Sequence, residues 1–450
     1  MYLRLIALLV LLIGIASRFD LPPAVAEALA IPAAALSAVY IKAFTNPGPA
    51  PQRPQDVSAD GTDPSGPAAP VGQDAQKAFT APAPAKAGSA RVPFTRHIVA
   101  VGDLHGDLPN AQTVLQFSGV VDALGNWTGD ADFFVQTGDI VDRGDDTIRL
   151  YEWMEQLRVQ AAATGGVVLS HLGNHEVMNA IGDWRYVYPS EIATFGSVAA
   201  RQKMISTGPI GRAWAQNYTA ASRLPLHPHL GPPNTPFPPP SHPLHAHNAP
   251  LPASAYYSVR APLSHAALSF VHGGLAPTYA HLAPFPTKIN ALSASLLRRL
   301  QHRAQPAPHP PAAYPGLPAG TPHDEAVLYG ADGPFWYRGW ATDGEDKACM
   351  DVEAVLARTG TRRMIMGHTP DFSGIVSRCN GKIIIIDTGI SHAYGGALSA
   401  LSIHYTFTPI DDAKGAPRWR EREVVSALYV DRQETIVDEE REVVGDFRFA

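Results

Sequence analysis

Six side chains that offer nitrogen or oxygen lone pairs recur along the chain, each in a turn that contains glycine. Asp103 and His105 stand in GDLHGD at 102–107, Asp139 in GDIVDRG at 138–144 and Asn174 in GNHE at 173–176. His272 stands in HGG at 272–274 and His368 in GHT at 367–369. Mixed oxygen and nitrogen donors without thiolate suit Zn, Mn or Fe and discriminate poorly among them. A carboxylate has two oxygens and can join two ions. Asp139 is therefore expected to bridge, with Asp103 and His105 on one ion and Asn174, His272 and His368 on the other. Two cations about 3.5–4 Å apart bring the pKa of a shared water towards neutrality, which suits in-line attack of a bridging hydroxide on phosphorus.

Phosphoryl transfer also needs cations on the non-reacting oxygens and a proton for the leaving group. Arg143, four residues after Asp139, is one expected phosphate ligand, and Arg338, in GPFWYRGW at 333–340, is the second. A planar guanidinium can bind two phosphate oxygens at once. Asn174 also falls where it can touch phosphate. His175, next to Asn174, is the expected general acid, with Asp142 holding its ring.

These groups must be carried by something rigid. Short apolar runs precede each of them: 97–101, 133–136, 167–172, 268–271, 364–366 and 383–386. Continuous runs of this kind read as strands buried on both faces. Segments 147–160 and 351–358 have helical spacing between them. The expected class is α/β, with the chemistry at strand ends where glycine permits a sharp exit.

The 450 residues are 45% hydrophobic and 17% charged, enough apolar material for a large core. Lys+Arg 35 against Asp+Glu 41 gives a net charge of −6, which provides no basic footprint for nucleic acid. Most of the 42 prolines fall in three stretches. Residues 46–95 read as a disordered Pro/Ala-rich linker, and 224–254 and 305–322 as surface insertions within a catalytic domain of residues 96–430. The histidines of the second stretch (His227, His229, His242, His245 and His247) are expected in a solvated loop. Residues 431–450 read as an acidic tail. Residues 1–45 contain Arg4 and the apolar run Leu5–Ala16, which is short of the ~20 residues a spanning helix needs. They read as a signal peptide or membrane anchor, with entry to the secretory pathway expected and a plastid or mitochondrial presequence as the alternative. Cys349 and Cys379 are expected as buried free thiols, with a bridge favoured in an oxidising compartment.

Together the five motifs resemble the calcineurin-like metallophosphoesterases, and among them the phosphoprotein phosphatase (PPP) family. The resemblance extends over about Arg96 to His404. It implies a β-sandwich flanked by helices in four αββα layers, two metal ions, and a phosphoprotein or phosphopeptide as substrate. It carries over the roles given above for Asp103, His105, Asp139, Asn174, His272, His368, Arg143, Arg338, His175 and Asp142. In place of the loop that eukaryotic Ser/Thr phosphatases carry after their last metal histidine, this chain has IDTGISHAYGG at 386–396. With Asp145 and FWYRG at 335–339, that makes it most similar to the Shewanella-like phosphatases, so neither phosphoserine nor phosphotyrosine is assumed. A phosphodiesterase or dinucleoside polyphosphate hydrolase of the same superfamily is the alternative, and a catalytically silent membrane-tethered scaffold a remote one.

Overall fold

The computed structural model describes residues 91–450 apart from 248, 260–261, 304–314, 411–415 and 448–450. The leader, nearly all of the 46–95 linker and much of the 305–322 stretch lie outside the described residues.

Two sheets form the centre. One has seven strands in the order β12-β11-β10-β1-β2-β3-β4, and the other five in the order β5-β6-β7-β9-β8. In the first, β1 (Phe94–Val101), β2 (Phe133–Gln136), β3 (Val167–His171) and β4 (Tyr218–Thr219) run parallel. In the second, β6 (Ala267–Val271), β7 (Arg363–Met366) and β9 (Ile383–Ile385) run parallel, with β5 (Ala221–Pro225) and β8 (Val376–Arg378) antiparallel at the edges.

The two-residue side-chain period of a strand sets the layers. Ile98, Ala100, Phe133 and Val135 share one buried cluster with Leu268, Phe270, Ile365 and Ile384, which is the core between the sheets. Their neighbours Val99, Val101 and Phe134 face the other way. There they meet Leu108, Val114 and Leu115 of helix α1 (Leu108–Phe117) and Leu150, Met154 and Leu157 of α2 (Thr147–Ala163). Val271, Met364 and Met366 join the same outer cluster as Leu296 and Leu300 of α7 (Thr287–Gln301) and Val352 and Val355 of α8 (Glu345–Thr359). Four short or medium helices lie between β3 and β4: α3 (Asn174–Ile181), α4 (Pro189–Thr194), α5 (Val198–Ser206) and α6 (Pro209–Asn217). The arrangement is the expected sandwich with helices outside.

Three sequence expectations change. Residues 433–444 are not a free tail but strand β12 (Gln433–Val444), paired with β11 (Arg418–Tyr429), which in turn pairs with β10 (Ser399–Ile410). Its acidic residues meet β11 arginines across the ladder, in Arg418–Glu442, Arg420–Glu440 and Arg422–Asp438. Opposite charges on neighbouring strands favour pairing, and a charged edge discourages further strand addition. The 224–254 stretch begins inside the core rather than in a solvated loop. Leu224, Leu226 and His227 are fully buried, and the His227 ring sits 4.6 Å from that of Phe407 and 5.9 Å from that of Phe447. Finally, Cys349 at the start of α8 and Cys379 before β9 are joined by a disulfide with Cα atoms 5.2 Å apart. They are not free thiols, because the turn ahead of β9 packs against the first turn of α8.

Candidate active site

All of the donors sit beyond the carboxyl ends of the parallel strands. Asp103 and His105 follow β1, Asp139 follows β2, Asn174 and His175 open α3 after β3, His272 follows β6, and His368 follows β7. Five of these site residues outside glycine have positive φ: His105, Asp139, Asp142, Arg143 and His368. Such conformations cost roughly 1–3 kcal/mol each and persist where the surroundings over-determine them. Two glycines explain how the carboxylates fit. A Cβ on Gly173 would lie 2.1 Å from Asp139 Oδ1, and one on Gly367 would lie 2.3 Å from Asp103 Oδ1.

Asp139 Oδ2 stands 3.3 Å from His272 Nε2, 3.8 Å from His105 Nε2 and 3.8 Å from His175 Nε2. Two compact donor groups, His105–Asp139–His175 and Asp139–His272–His368, share that carboxylate. Asp103 lies against the same cluster, with Oδ2 3.9 Å from His105 Nε2, and both its oxygens accept from the His368 amide at 3.2 Å.

The residues fit two cations on grounds of hydrogen bonding and charge. His105 Nδ1 and His272 Nδ1 donate to the carbonyls of Val141 and Thr137, each at 3.0 Å, which turns both Nε2 lone pairs inward. Ligand histidines are commonly oriented in this way. His272 Nε2 then faces the Asn174 Oδ1 acceptor at 2.8 Å, an arrangement that calls for positive charge beside them. His368 Nε2 is buried and makes no hydrogen bond among the described residues. Burial, with His175 next, lowers His105 to about 3, and burial, with His272 and Arg338 next, holds His368 well below the ordinary imidazole range. Both are thus neutral, as ligands must be. Burial and the neighbouring Asp387 and Asp139 push Asp103 well above the usual carboxylate range. Burial opposes ionisation of Asp139 as well, but His272, His175 and His105 hold its carboxyl well below that range. Three buried carboxylates at one point are costly without a countercharge.

The remaining expected groups converge on the same end. His175 Nδ1 donates to Asp142 Oδ2 at 2.7 Å, leaving Nε2 towards Asp139. Burial works against the charged ring, while Asp139 and Asp142 raise His175 above its ordinary value. The Arg143 guanidinium lies 4.2 Å from the ring centre of Tyr186 and 4.9 Å from that of Tyr394, with no carboxylate in ion-pair range among the described residues. Ring faces hold its plane and leave the edge donors for a ligand. Arg338 donates from Nη1 to His368 O at 2.8 Å and Thr369 Oγ1 at 3.0 Å. A separate cavity of about 400 Å³, lined by Arg362, Lys382 and Arg441 among others, lies at the opposite end of β7 and shares no residue with this site.

The profile of the calcineurin-like phosphoesterases matches residues 96–274. An uncharacterized protein of Schizosaccharomyces pombe is 34% identical over 319 residues, covering 70% of this chain and 79% of that protein. Shewanella-like protein phosphatase 2 of Arabidopsis thaliana is 28% identical over 320 residues, 65% of this chain and 71% of the relative. The chain belongs to the calcineurin-like phosphoesterases and is similar to their Shewanella-like phosphatases. Shewanella-like protein phosphatase 1 of Plasmodium berghei is 25% identical over 300 residues, 65% of this chain and 67% of the relative. The fold of this calcineurin-like chain also matches a crystal structure of a mutant cold-active protein tyrosine phosphatase. The TM-score is 0.51 and the identity 21%, over 76% of this chain and 80% of the other.

Every expected site residue of this phosphoesterase thus lies at one end of the sandwich. Several that shape the site had no assigned role in the sequence. Glu176 accepts from the amides of Gly173 (2.7 Å), Asp139 (3.0 Å) and Ile140 (2.8 Å) and from the Tyr151 hydroxyl (3.0 Å), so one carboxylate ties the β2 and β3 exits together. Its place in GNHE was the available signal. Asp387, in the IDTG run, lies against Asp103, and burial pushes its carboxyl up to about 6. Tyr186 and Arg201 lie in the helical stretch between β3 and β4, which carries no recognisable motif.

Proposed function

We propose that this chain is a metal-dependent protein phosphatase that hydrolyses phosphomonoesters. The observation that carries the reading is Asp139, whose Oδ2 is shared by two groups of imidazole donors. Asp103, His105 and Asp139 would hold one ion, and Asp139, Asn174, His272 and His368 the other. Mn, Fe and Zn all suit these donors. When bound, two such ions neutralise phosphoryl oxygens and activate a water nucleophile.

The chain's own side chains supply the rest. Arg143 and Arg338 bind the non-reacting phosphate oxygens, and Asn174 adds an amide contact. His175, held through Nδ1 by Asp142, points Nε2 into the site and gives its proton to the departing oxygen of the substrate side chain. A phosphoprotein substrate is supported by the names of the relatives. The secretory or membrane-associated location proposed for residues 1–45 is supported by the Cys349–Cys379 bridge, since disulfides persist in oxidising compartments. Among the described residues no helix is long and apolar enough to cross a membrane. A reporter fused to residues 1–95 that stays in the cytosol would remove the location proposal.

The purified chain with Mn²⁺ is expected to hydrolyse p-nitrophenyl phosphate and phosphopeptides well and bis(p-nitrophenyl) phosphate poorly. Asp139→Asn and His175→Asn are expected to abolish most turnover of a phosphopeptide. Full activity in either variant, or a preference for the diester, would contradict the assignment.

A further inference from the structure

Behind the His175–Asp142 pair lies a fully buried arginine. Arg201, on α5, has no solvent exposure, and neither do Asp142, Asn179 and Glu191. Its Nη1 donates to Asn179 Oδ1 at 2.7 Å, and its Nη2 lies 3.0 Å from Glu191 Oε1 and 3.5 Å from Asp142 Oδ1. The guanidinium is stacked 4.4 Å from the ring centre of Trp184, and the Phe195 ring centre is 5.4 Å away. Glu191 is itself fixed by the Thr147 hydroxyl at 2.7 Å, at the first residue of α2.

The two oxygens of Asp142 have different work. Oδ2 accepts from His175 Nδ1 at 2.7 Å, while Oδ1 accepts from Asn179 Nδ2 at 2.9 Å and faces Arg201. Asn179 stands one helical turn after His175 on α3, and its Nδ2 also donates to the His175 carbonyl at 2.9 Å. An amide group has one acceptor and one donor end. Because Arg201 occupies the acceptor end, the donor end must face Asp142. The arginine therefore fixes the carboxylate twice, once through its own charge and once by setting which way Asn179 points. A carboxylate so held offers His175 one orientation. This resembles the logic by which a third group orients the imidazole of a catalytic triad.

We propose that Arg201 is a positioning residue for the His175 proton donor, acting through Asp142 and Asn179. The inference rests on the reading of His175 as the acid given under Proposed function. A buried Arg–Glu pair could also serve only to clamp α5 against α2 and α4. The two roles differ in what they do to the leaving group. Proton donation matters most when the departing oxygen is a poor leaving group, whereas looser packing affects all substrates alike.

The test uses the full chain loaded with Mn²⁺ and compares kcat/KM for p-nitrophenyl phosphate, whose leaving group needs little protonation, with that for phenyl phosphate. General acid catalysis is worth about 10²–10⁴-fold, so losing its alignment is expected to raise the ratio of the two by about tenfold. Arg201→Met combined with Glu191→Gln removes both charges of the clamp and keeps the interior free of an unpaired ion. That double variant should show the raised ratio, as should His175→Asn, and Glu191→Gln alone should leave the ratio within about twofold. Should the double variant melt below the assay temperature, Arg201→Lys provides the test, since a single ammonium cannot serve Asn179, Glu191 and Asp142 in one plane. An unchanged ratio in the folded Arg201 variant, with a raised one in His175→Asn, would make Arg201 a packing residue and overturn the proposal. An unchanged ratio in His175→Asn would instead overturn the acid assignment, and the inference with it.

Discussion

The loops beyond β1, β2, β3, β6 and β7 and the arm formed by β10, β11 and β12 are built on opposite principles. In the loops, charged groups are buried, five non-glycine site residues adopt positive φ, and single atoms decide whether a carboxylate fits. The arm consists of three strands of twelve residues in regular antiparallel register, broken by one irregularity between Val425 and Ser426. No positive-φ residue falls within its strands, and its outer ion pairs face water. Strain and buried charge are concentrated where ions and phosphate are to be held, while the arm gains its stability from regular pairing. Small changes should therefore be expensive in the first region and cheap in the second.

The largest effect is expected from a change of one methyl group. Gly173→Ala places Cβ 2.1 Å from Asp139 Oδ1 and 2.6 Å from the Asp139 amide nitrogen, so the carboxylate and the β2 exit that carries it must both shift, although the φ of −101° is one any residue adopts. Displacing the shared carboxylate by about 1 Å is expected to lower kcat by ~10²-fold or more. A Gly173→Ala enzyme with normal turnover would show that the site tolerates slack and would erase the contrast.

Next in size is the Cys349–Cys379 bridge, which closes a segment 30 residues apart in sequence and lies outside both regions. Removing it with Cys349→Ser is expected to cost about 3–4 kcal/mol in denaturant unfolding, with turnover kept at temperatures where the chain stays folded. Turnover lost without loss of stability would couple the bridge to the site.

A pH effect comes from a buried residue after β5 against which the arm packs. Burial, with His229 and Arg96 next, lowers His227 to about 3, so the folded chain holds it neutral while the unfolded chain protonates it near the ordinary value of 6.5. The unfolded state then binds more protons between these values. Stability is full above pH 6.5 and declines as the pH falls towards about 3. His227→Leu should flatten that decline in unfolding measurements between pH 7 and pH 5. An equal slope in the variant would show that other groups carry the acid sensitivity.

The smallest effect is expected at Arg420, whose partner Glu440 lies on the exposed face of β12. Arg420→Ala should leave both the melting midpoint and turnover within error, as exposed pairs are screened by solvent. A clear loss of stability would mean that the arm depends on its charges more than on its ladder.

The same contrast decides what could be read from the sequence. Parallel strands buried on both faces appear as unbroken apolar runs, and each run here ends on a glycine and a donor. Six strands were therefore legible to within a few residues, and so was the set of donors that the fold brings together at their ends. The edge strand β12 was not, because one of its faces is solvated and its Glu and Asp residues look like a soluble tail until the β11 arginines are placed opposite. Arg201 was hidden for the converse reason: a charged residue in a helix reads as surface unless its buried partners, Asp142, Asn179 and Glu191, are seen. His227 was masked by the prolines around it. Between Asp183 and Asn217 no glycine-bounded motif marks Tyr186, although its ring stacks on Arg143, the proposed phosphate ligand.

The central claim is that Asp139 is shared between two ions. It is tested most directly by reconstituting the metal-free chain with Mn²⁺ and measuring bound metal per protein by plasma mass spectrometry, for the wild type and for Asp139→Asn. The expected result is two ions per wild-type chain and the loss of both tight sites in the variant. One ion or none in the wild type, or unaltered binding in Asp139→Asn, would contradict it.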